Sequence, residues 1–194
     1  MRIITGKARG VKLSVLPGED ITRPTSERTK EGVFSAIQFE LEGKRILDLF
    51  AGTGQMALEA LSRGADSAVL IDESPEAIEI IKTNARRTNL LMSCKISRLD
   101  YSEYLKSASG KERFDIVFLD PPFSKRMKEE ILKKVTRADI LADNAIVVCE
   151  TDRDDIEGDV YGLTLRKKYK YSRIITYIFD YKRNSDSSKE DSNE

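Results

Sequence analysis

Histidine is absent from this 194-residue chain, and with it go the commonest general base and the commonest metal ligand. A histidine-dependent hydrolase is thereby excluded. Cysteine is scarce: Cys94 and Cys149 each fall in a predicted strand, so neither a disulfide framework nor a thiolate metal site is expected. Both thiols are expected to be buried and inert, and no metal is expected. No segment approaches the ~18 consecutive apolar residues of a membrane span. The opening Met1-Arg2-Ile3-Ile4-Thr5-Gly6-Lys7 lacks the apolar core of a signal peptide, so a cytoplasmic protein without membrane attachment is expected. Net charge is missing too, since 33 basic residues balance 33 acidic ones. There are no internal repeats.

The zero balance hides an uneven spread. Residues 184–194 carry four acids and one lysine with no apolar residue, a composition that cannot bury enough surface to fold, and they read as a disordered acidic tail. The first thirty residues hold seven Lys or Arg against three acids. Basic and apolar residues alternate there around Gly6 and Gly10, as in two short strands of a hairpin, and Pro17-Gly18-Glu19-Asp20 closes it. This arm, residues 1–20, is expected to stand outside the main sheet and to offer Arg2, Lys7, Arg9 and Lys12, joined by Arg23 and Arg28, to phosphates. On that reading, removing residues 1–16 weakens RNA binding and spares cofactor binding. A second basic stretch interleaved with aromatics, Arg166 to Arg173, fits either a solvated strand face or RNA contact.

From Lys44 onward the rhythm is strand, helix, strand, helix, which predicts a doubly wound, mostly parallel α/β sheet. Thr25 or Ser26 caps a predicted helix running to about Leu41, where Gly43 stops it. Further helices are expected at about 55–63, 75–88, 101–107 and 125–137. Strands are expected near 45–50, 68–71, 94–99, 114–119, 145–150, 163–170 and 174–181.

Two motifs carry the chemistry. The apolar run Phe114 to Leu119 ends in Asp120-Pro121-Pro122-Phe123. Two prolines can neither donate to a ladder nor continue into a helix, so the acid is presented at a strand's carboxyl end, where open α/β sheets bind ligands. A carboxylate, a proline carbonyl free of the ladder and an aromatic face together form a socket for a planar group bearing an amino substituent. The bland alternative is a strand-to-loop stop with a solvated acid. The second motif is the strand Arg45 to Phe50, then Ala51-Gly52-Thr53-Gly54-Gln55-Met56-Ala57 opening a helix, then a strand ending at Asp72, twenty residues beyond Gly52. Glycines there let the backbone turn tightly against a ligand, and the distal acid suits ribose hydroxyls.

Asp48, four residues before Gly52, would repel dinucleotide phosphates but suits a cationic sulfonium or an amino-acid moiety. That favours S-adenosylmethionine over NAD, with S-adenosylhomocysteine as product. Phe50, Gly52 and Gly54 complete the expected cofactor turn. Asp100, after the third strand, either accepts from the adenine amino group or caps the helix beginning at Tyr101.

Arg2-Ile3-Ile4 with Gly6, Arg9-Gly10 and Leu13, then Arg23-Pro24-Thr25-Ser26-Glu27-Arg28 with Lys30-Glu31 and Phe34, then DLFAGTG, EALSRGA and DPPF together resemble the RsmD family of 16S ribosomal RNA guanine-N2 methyltransferases. The resemblance runs from Met1 to about Arg183, and the amino-terminal arm is its most specific part, because DPPF is shared with DNA-amino and glutamine-amide methyltransferases. It implies a Rossmann-like methyltransferase sheet spanning residues 21–183, a β-hairpin arm, an antiparallel final strand pair, S-adenosylmethionine as donor, and 16S rRNA or a small-subunit assembly particle as partner. A monomer is expected. Glu27 stands where the family usually has aspartate, and Tyr171-Ser172-Arg173 replaces a glycine-bearing turn. Asp120, Pro121, Pro122 and Phe123 are the expected catalytic residues. The rival readings are a DNA-adenine or protein-glutamine methyltransferase, a non-catalytic RNA-binding domain and an NAD oxidoreductase.

Overall fold

A computed structural model describes residues 1–16, 24–121, 127–152, 156 and 158–183. Pro122, Phe123, Arg23, the Pro17 to Asp20 turn and the acidic tail lie outside the described residues. Helix α1 spans Pro24–Ala36, and β1 (Arg45–Asp48), α2 (Gln55–Ser62), β2 (Ser67–Asp72), α3 (Pro75–Arg87), β3 (Cys94–Arg98), α4 (Tyr101–Ala108) and β4 (Phe114–Leu119) follow in alternation. Then come α5 (Met127–Arg137), β5 (Leu141–Thr151), β6 (Leu163–Tyr171) and β7 (Ile174–Tyr181).

The seven strands form one sheet in the order β3-β2-β1-β4-β5-β7-β6. Strands β1 to β5 pair in parallel, while β7 pairs antiparallel with both β5 and β6. Strand β1 is buried from Ile46 to Asp48 and β4 from Ile116 to Leu119, as expected of parallel strands covered on both faces. One apolar cluster packs α1, α2 and α3 on one face, and a second packs α4 and α5 on the other. Chain order reverses between β1 and β4, and the crevice at that switch point is where such sheets hold ligands.

Helix α1 begins at Pro24, so Thr25 and Ser26 lie inside it and neither is its cap, and three further boundaries differ from expectation. Helix α1 stops at Ala36 rather than near Leu41, because Ile37 and Leu41 remain buried in a chain of turns while Phe39 swings out to 90% exposure. Strand β1 ends at Asp48 rather than Phe50, since the backbone already turns toward the glycines. Strand β5 begins at Leu141, four residues early, with Asn144 at φ 60° and a register shift against β4 between Phe114 and Ile116. The bulge carries the strand past residues whose polarity reads as loop.

Neither cysteine is in a disulfide among the described residues; Cys149 is buried, and burial pushes the half-buried Cys94 thiol up to about 12. The Cys94 thiol is therefore protonated at neutral pH. In the basic stretch, Lys167, Lys168 and Lys170 are exposed on β6, an edge strand, where lysines discourage pairing with another chain. Arg166 is committed to Asp180 and Glu40.

Tyr171 pairs with Ile174 across the turn that departs from the family pattern, and Ser172 there adopts φ 57°. A side chain in that left-handed region costs roughly 1–2 kcal/mol, against ~0.5–1 kcal/mol of chain entropy for glycine. Ser172→Gly is therefore expected to stabilise the fold by about 0.5–1 kcal/mol, read from urea midpoints at unchanged m-value.

Candidate active site

The amino-terminal arm forms a hairpin: Ile3 N–H donates to Val11 O, Leu13 N–H to Met1 O, and Arg2 bridges Lys12. It does not stand clear of the sheet. Ile3, Ala8 and Leu13 are buried in the main core. Residue 59 explains how the arm is held. Glu59, fully buried in α2, accepts the N–H of Ile4 at 2.7 Å through Oε2 and that of Thr5 at 3.0 Å through Oε1. The buried Lys30 ammonium lies 3.3 Å from Oε2, and Arg63 donates to Oε1 at 2.8 Å. Lys30 also donates to the Arg2 carbonyl at 2.6 Å. One turn on, Ser62 accepts from Ala8 N–H and donates to Thr5 O, while its own carbonyl accepts from Lys7 N–H.

Gly6, at φ 87°, passes so close that an added Cβ would meet the Ser62 carbonyl oxygen at 1.8 Å, so only glycine fits. Met1 and Leu16 reach the sheet's carboxyl edge and line the main cavity. The expectation that residues 1–16 can be removed without consequence for the cofactor site is thus overturned, because they are one of its walls.

That cavity, about 450 Å³, opens over the ends of β1, β2, β4 and β5, a size suited to a nucleoside-sized ligand. Asp48, Phe50, Gly52, Asp72, Asp100, Asp120 and Pro121 all line it, joined by Lys30 and Glu150. Gly52 (φ 53°) and Gly54 (φ 76°) make the turn into α2, and the space beside Gly52 is open. Gly54 lies deeper: a Cβ there would press on Leu70 and Ile81, so it packs helix against sheet and does not line the cavity.

Asp72 shapes this turn directly, its Oδ2 accepting Gly52 N–H at 2.8 Å and its Oδ1 accepting Ser74 N–H at 2.9 Å. Each oxygen keeps a second acceptor site. Asp100 is the α4 cap, its Oδ1 accepting from Ser102 and Glu103 N–H. The cap and a cavity role coexist, because both bonds use one oxygen. Phe50 stacks tilted on Tyr101 at 5.2 Å, and both rings face the cavity.

The electrostatics are one-sided. Asp48 is pushed up to about 7, first by burial and then by the charges of Asp120 and Asp72, although backbone N–H groups of Ala57 and Phe50 favour its ionised form. Burial pushes Glu150 up to about 8, helped by Asp120 and Asp48. Lys30 is the one basic side chain lining the cavity among the described residues; it is tied to Glu59, and burial lowers its pKa. Such a site repels phosphates and gains from a cation.

Sequence reasoning missed Lys30, Glu59 and Glu150. Glu59 had a signal, being a charge inside the otherwise apolar run from Ala57 to Leu61. Glu150 had one too, as an acid at the carboxyl end of a predicted strand. Among the expected RNA contacts, Arg2, Lys7, Arg9, Lys12 and Arg28 are all exposed.

Residues 1–180 match the family described as conserved hypothetical protein 95. The chain belongs to the RsmD family of small-subunit rRNA methyltransferases. Ribosomal RNA small subunit methyltransferase D of Haemophilus influenzae is 32% identical over 178 residues, covering 91% of this chain and 91% of that one. YlbH of Bacillus subtilis is 32% identical over 185 residues, 94% of this chain and 99% of its own. The solved structure of yhhF from Escherichia coli superposes with a TM-score of 0.84 at 28% identity, covering 95% of this chain and 99% of that one. Membership makes this RsmD-family chain a methyltransferase with a Rossmann-like sheet.

The paired carboxyls Asp48 and Glu150 have a measurable consequence in the RsmD-family site. Their folded values, about 7 and about 8, exceed the ordinary carboxyl range near ~4, so the folded state holds more protons than the unfolded state between those limits. Stability of the ligand-free protein should therefore fall as pH rises from about 4 to about 8. A cationic ligand favours the ionised forms, so its affinity should rise through pH 6–8 with proton release, seen as heats that differ between calorimetry buffers. Affinity flat with pH would remove these two carboxyls from the ligand's surroundings.

Proposed function

We propose that this protein transfers a methyl group from S-adenosylmethionine to the exocyclic N2 amine of a guanine in 16S rRNA. The observation that carries the reading is that Asp120 and Pro121, at the end of β4, open into the same cavity as the Gly52 turn and the Asp48 carboxyl. Donor and acceptor chemistry thus meet at one switch point.

The residues present fit the donor. Asp48, with its acidic neighbours, offsets the cationic sulfonium, Asp72 has acceptor capacity left for ribose hydroxyls, and Asp100 Oδ2 can take the adenine amino group. When bound, the donor supplies an electrophilic methyl whose carbon–sulfur bond breaks as a carbon–nitrogen bond forms. An aryl amine is a weak nucleophile because its lone pair is delocalised into the ring. Asp120 accepting one amino hydrogen and the Pro121 carbonyl accepting the other would orient that lone pair and stabilise the positive charge developing on nitrogen. The extra proton leaves after transfer, to Asp120 or to solvent, so no histidine is needed. Phe123, outside the described residues, is assigned by sequence to stack on the guanine.

The exposed Arg2, Lys7, Arg9, Lys12 and Arg28 support an RNA partner, because a basic face beside the cavity would hold phosphates while a splayed base enters. Changing Arg2, Lys7, Arg9 and Lys12 to glutamine should weaken rRNA binding and flatten its salt dependence, each lost phosphate contact lowering the log–log slope by about 0.7–0.9. Donor affinity and melting temperature should stay near parental, since these side chains do not enter the core. An unchanged salt slope would move the RNA contact elsewhere.

The decisive experiment for the reaction is mass mapping of methylated nucleosides in rRNA from a strain lacking the gene, with restoration by the purified protein and labelled donor. Loss and recovery of one 16S N2-methylguanine is the expected result. Recovery on DNA or on a protein glutamine would select a rival acceptor. Absence of donor binding would select a non-catalytic RNA-binding role, and binding of NAD an oxidoreductase.

A further inference from the structure

We propose that Glu150 is the residue that selects guanine, accepting the N1–H beside the amine that Asp120 and Pro121 hold. The inference rests on the acceptor reading above and extends it to a residue outside the motif.

Strands β4 and β5 run parallel, and their last paired residues are Leu119 and Cys149. One step further on each strand come Asp120 and Glu150, one strand spacing apart, about 4.8 Å. Both line the cavity, and the charge of Asp120 acts on Glu150. The donor side is elsewhere: Gly52, Asp72 and Asp100 follow β1, β2 and β3, across the switch point from β5. Glu150 therefore belongs with the acceptor.

A guanine held by its N2 amine turns its N1–H toward the neighbouring position, and an ionised carboxylate there completes a pair of adjacent donor–acceptor contacts. Adenine can offer an amine to the same socket, but the adjacent ring nitrogen is then an acceptor. Its lone pair would face the carboxylate and leave a buried charge without a partner, a penalty that strongly rejects such an analogue. Burial beside Asp48 and Asp120 pushes the Glu150 carboxyl upward, so its ionised form needs a cation in the cavity. A sulfonium donor supplies one, which makes donor binding precede acceptor recognition.

The test compares Glu150→Ala and Glu150→Gln with the parent on small-subunit rRNA, free and in particles, from a strain lacking the gene. S-adenosylhomocysteine affinity is measured by calorimetry and product nucleosides by mass spectrometry. The alanine variant should lose about tenfold or more in kcat/KM for RNA while affinity for S-adenosylhomocysteine, whose sulfur carries no positive charge for Glu150 to offset, stays within about twofold. Glutamine keeps an acceptor oxygen for N1–H, so guanine methylation should be largely retained. Its amide can also donate to the adenine ring nitrogen, so the guanine-to-adenine ratio of products should fall about tenfold or more. A purely structural role would not move that ratio. If both variants keep the parental ratio and kcat/KM, or if they lose S-adenosylhomocysteine affinity instead, the assignment is wrong. If the parent itself methylates no rRNA guanine, the acceptor reading fails and this inference falls with it.

Discussion

Asp120→Ala should lower single-turnover methylation of rRNA by about a hundredfold or more at saturating donor, with donor affinity nearly unchanged. The carboxylate is assigned to the acceptor amine, where positive charge appears only as the new bond forms, so its loss falls on the transition state. Removing one such oriented acceptor costs on the order of 3 kcal/mol, which is that factor in rate. Asp120 also raises the carboxyls of Asp48 and Glu150, so its removal should let both ionise more readily and, if anything, tighten a cationic donor. Turnover and donor binding are thus expected to move apart, a signature that general destabilisation does not produce. Near-parental turnover in this variant would make the Asp120 turn a mere strand stop.

The largest stability effect is expected from Glu59→Ala. Removal strands two cations, the fully buried Lys30 and the mostly buried Arg63, and takes the acceptors from Ile4 and Thr5 N–H. Breaking a buried pair from one side costs about 3–5 kcal/mol, because the remaining charge is left uncompensated. For a domain of this size that is roughly 6–20 °C in melting temperature. Glu59→Gln should fall between, since an amide oxygen still serves the arm while both cations lose their counter-charge. Differential scanning calorimetry with and without S-adenosylhomocysteine would read both effects, and a Glu59→Ala variant melting within a degree of the parent would mean that the network contributes little.

Much of this architecture is legible in the sequence because its signals are local. The apolar runs around Ile46, Leu70 and Val117 declare buried strands, and Gly52 and Gly54 mark the turn between strand and helix. What escapes is set by contacts between distant residues. The arm reads as a free basic hairpin because its alternation is local, whereas its anchor, Glu59, lies more than fifty residues away. Helix α1 reads too long because Ile37 and Leu41 have helical spacing, yet turns alone keep both buried. Glu150 shows in its own segment only as an acid closing an apolar strand, and its place beside Asp120 follows only when β5 pairs with β4.

The position of Met1 on the cavity wall has a practical side. A purification handle fused directly to that residue would emerge at the mouth of the site and could obstruct donor and RNA alike. A handle following Arg183 would leave from the end of β7, which runs antiparallel to β5 and so ends at the sheet edge opposite the cavity. Activity measured on amino-terminally tagged protein should therefore be repeated after tag removal, and the carboxyl-terminal position is the better choice for immobilisation.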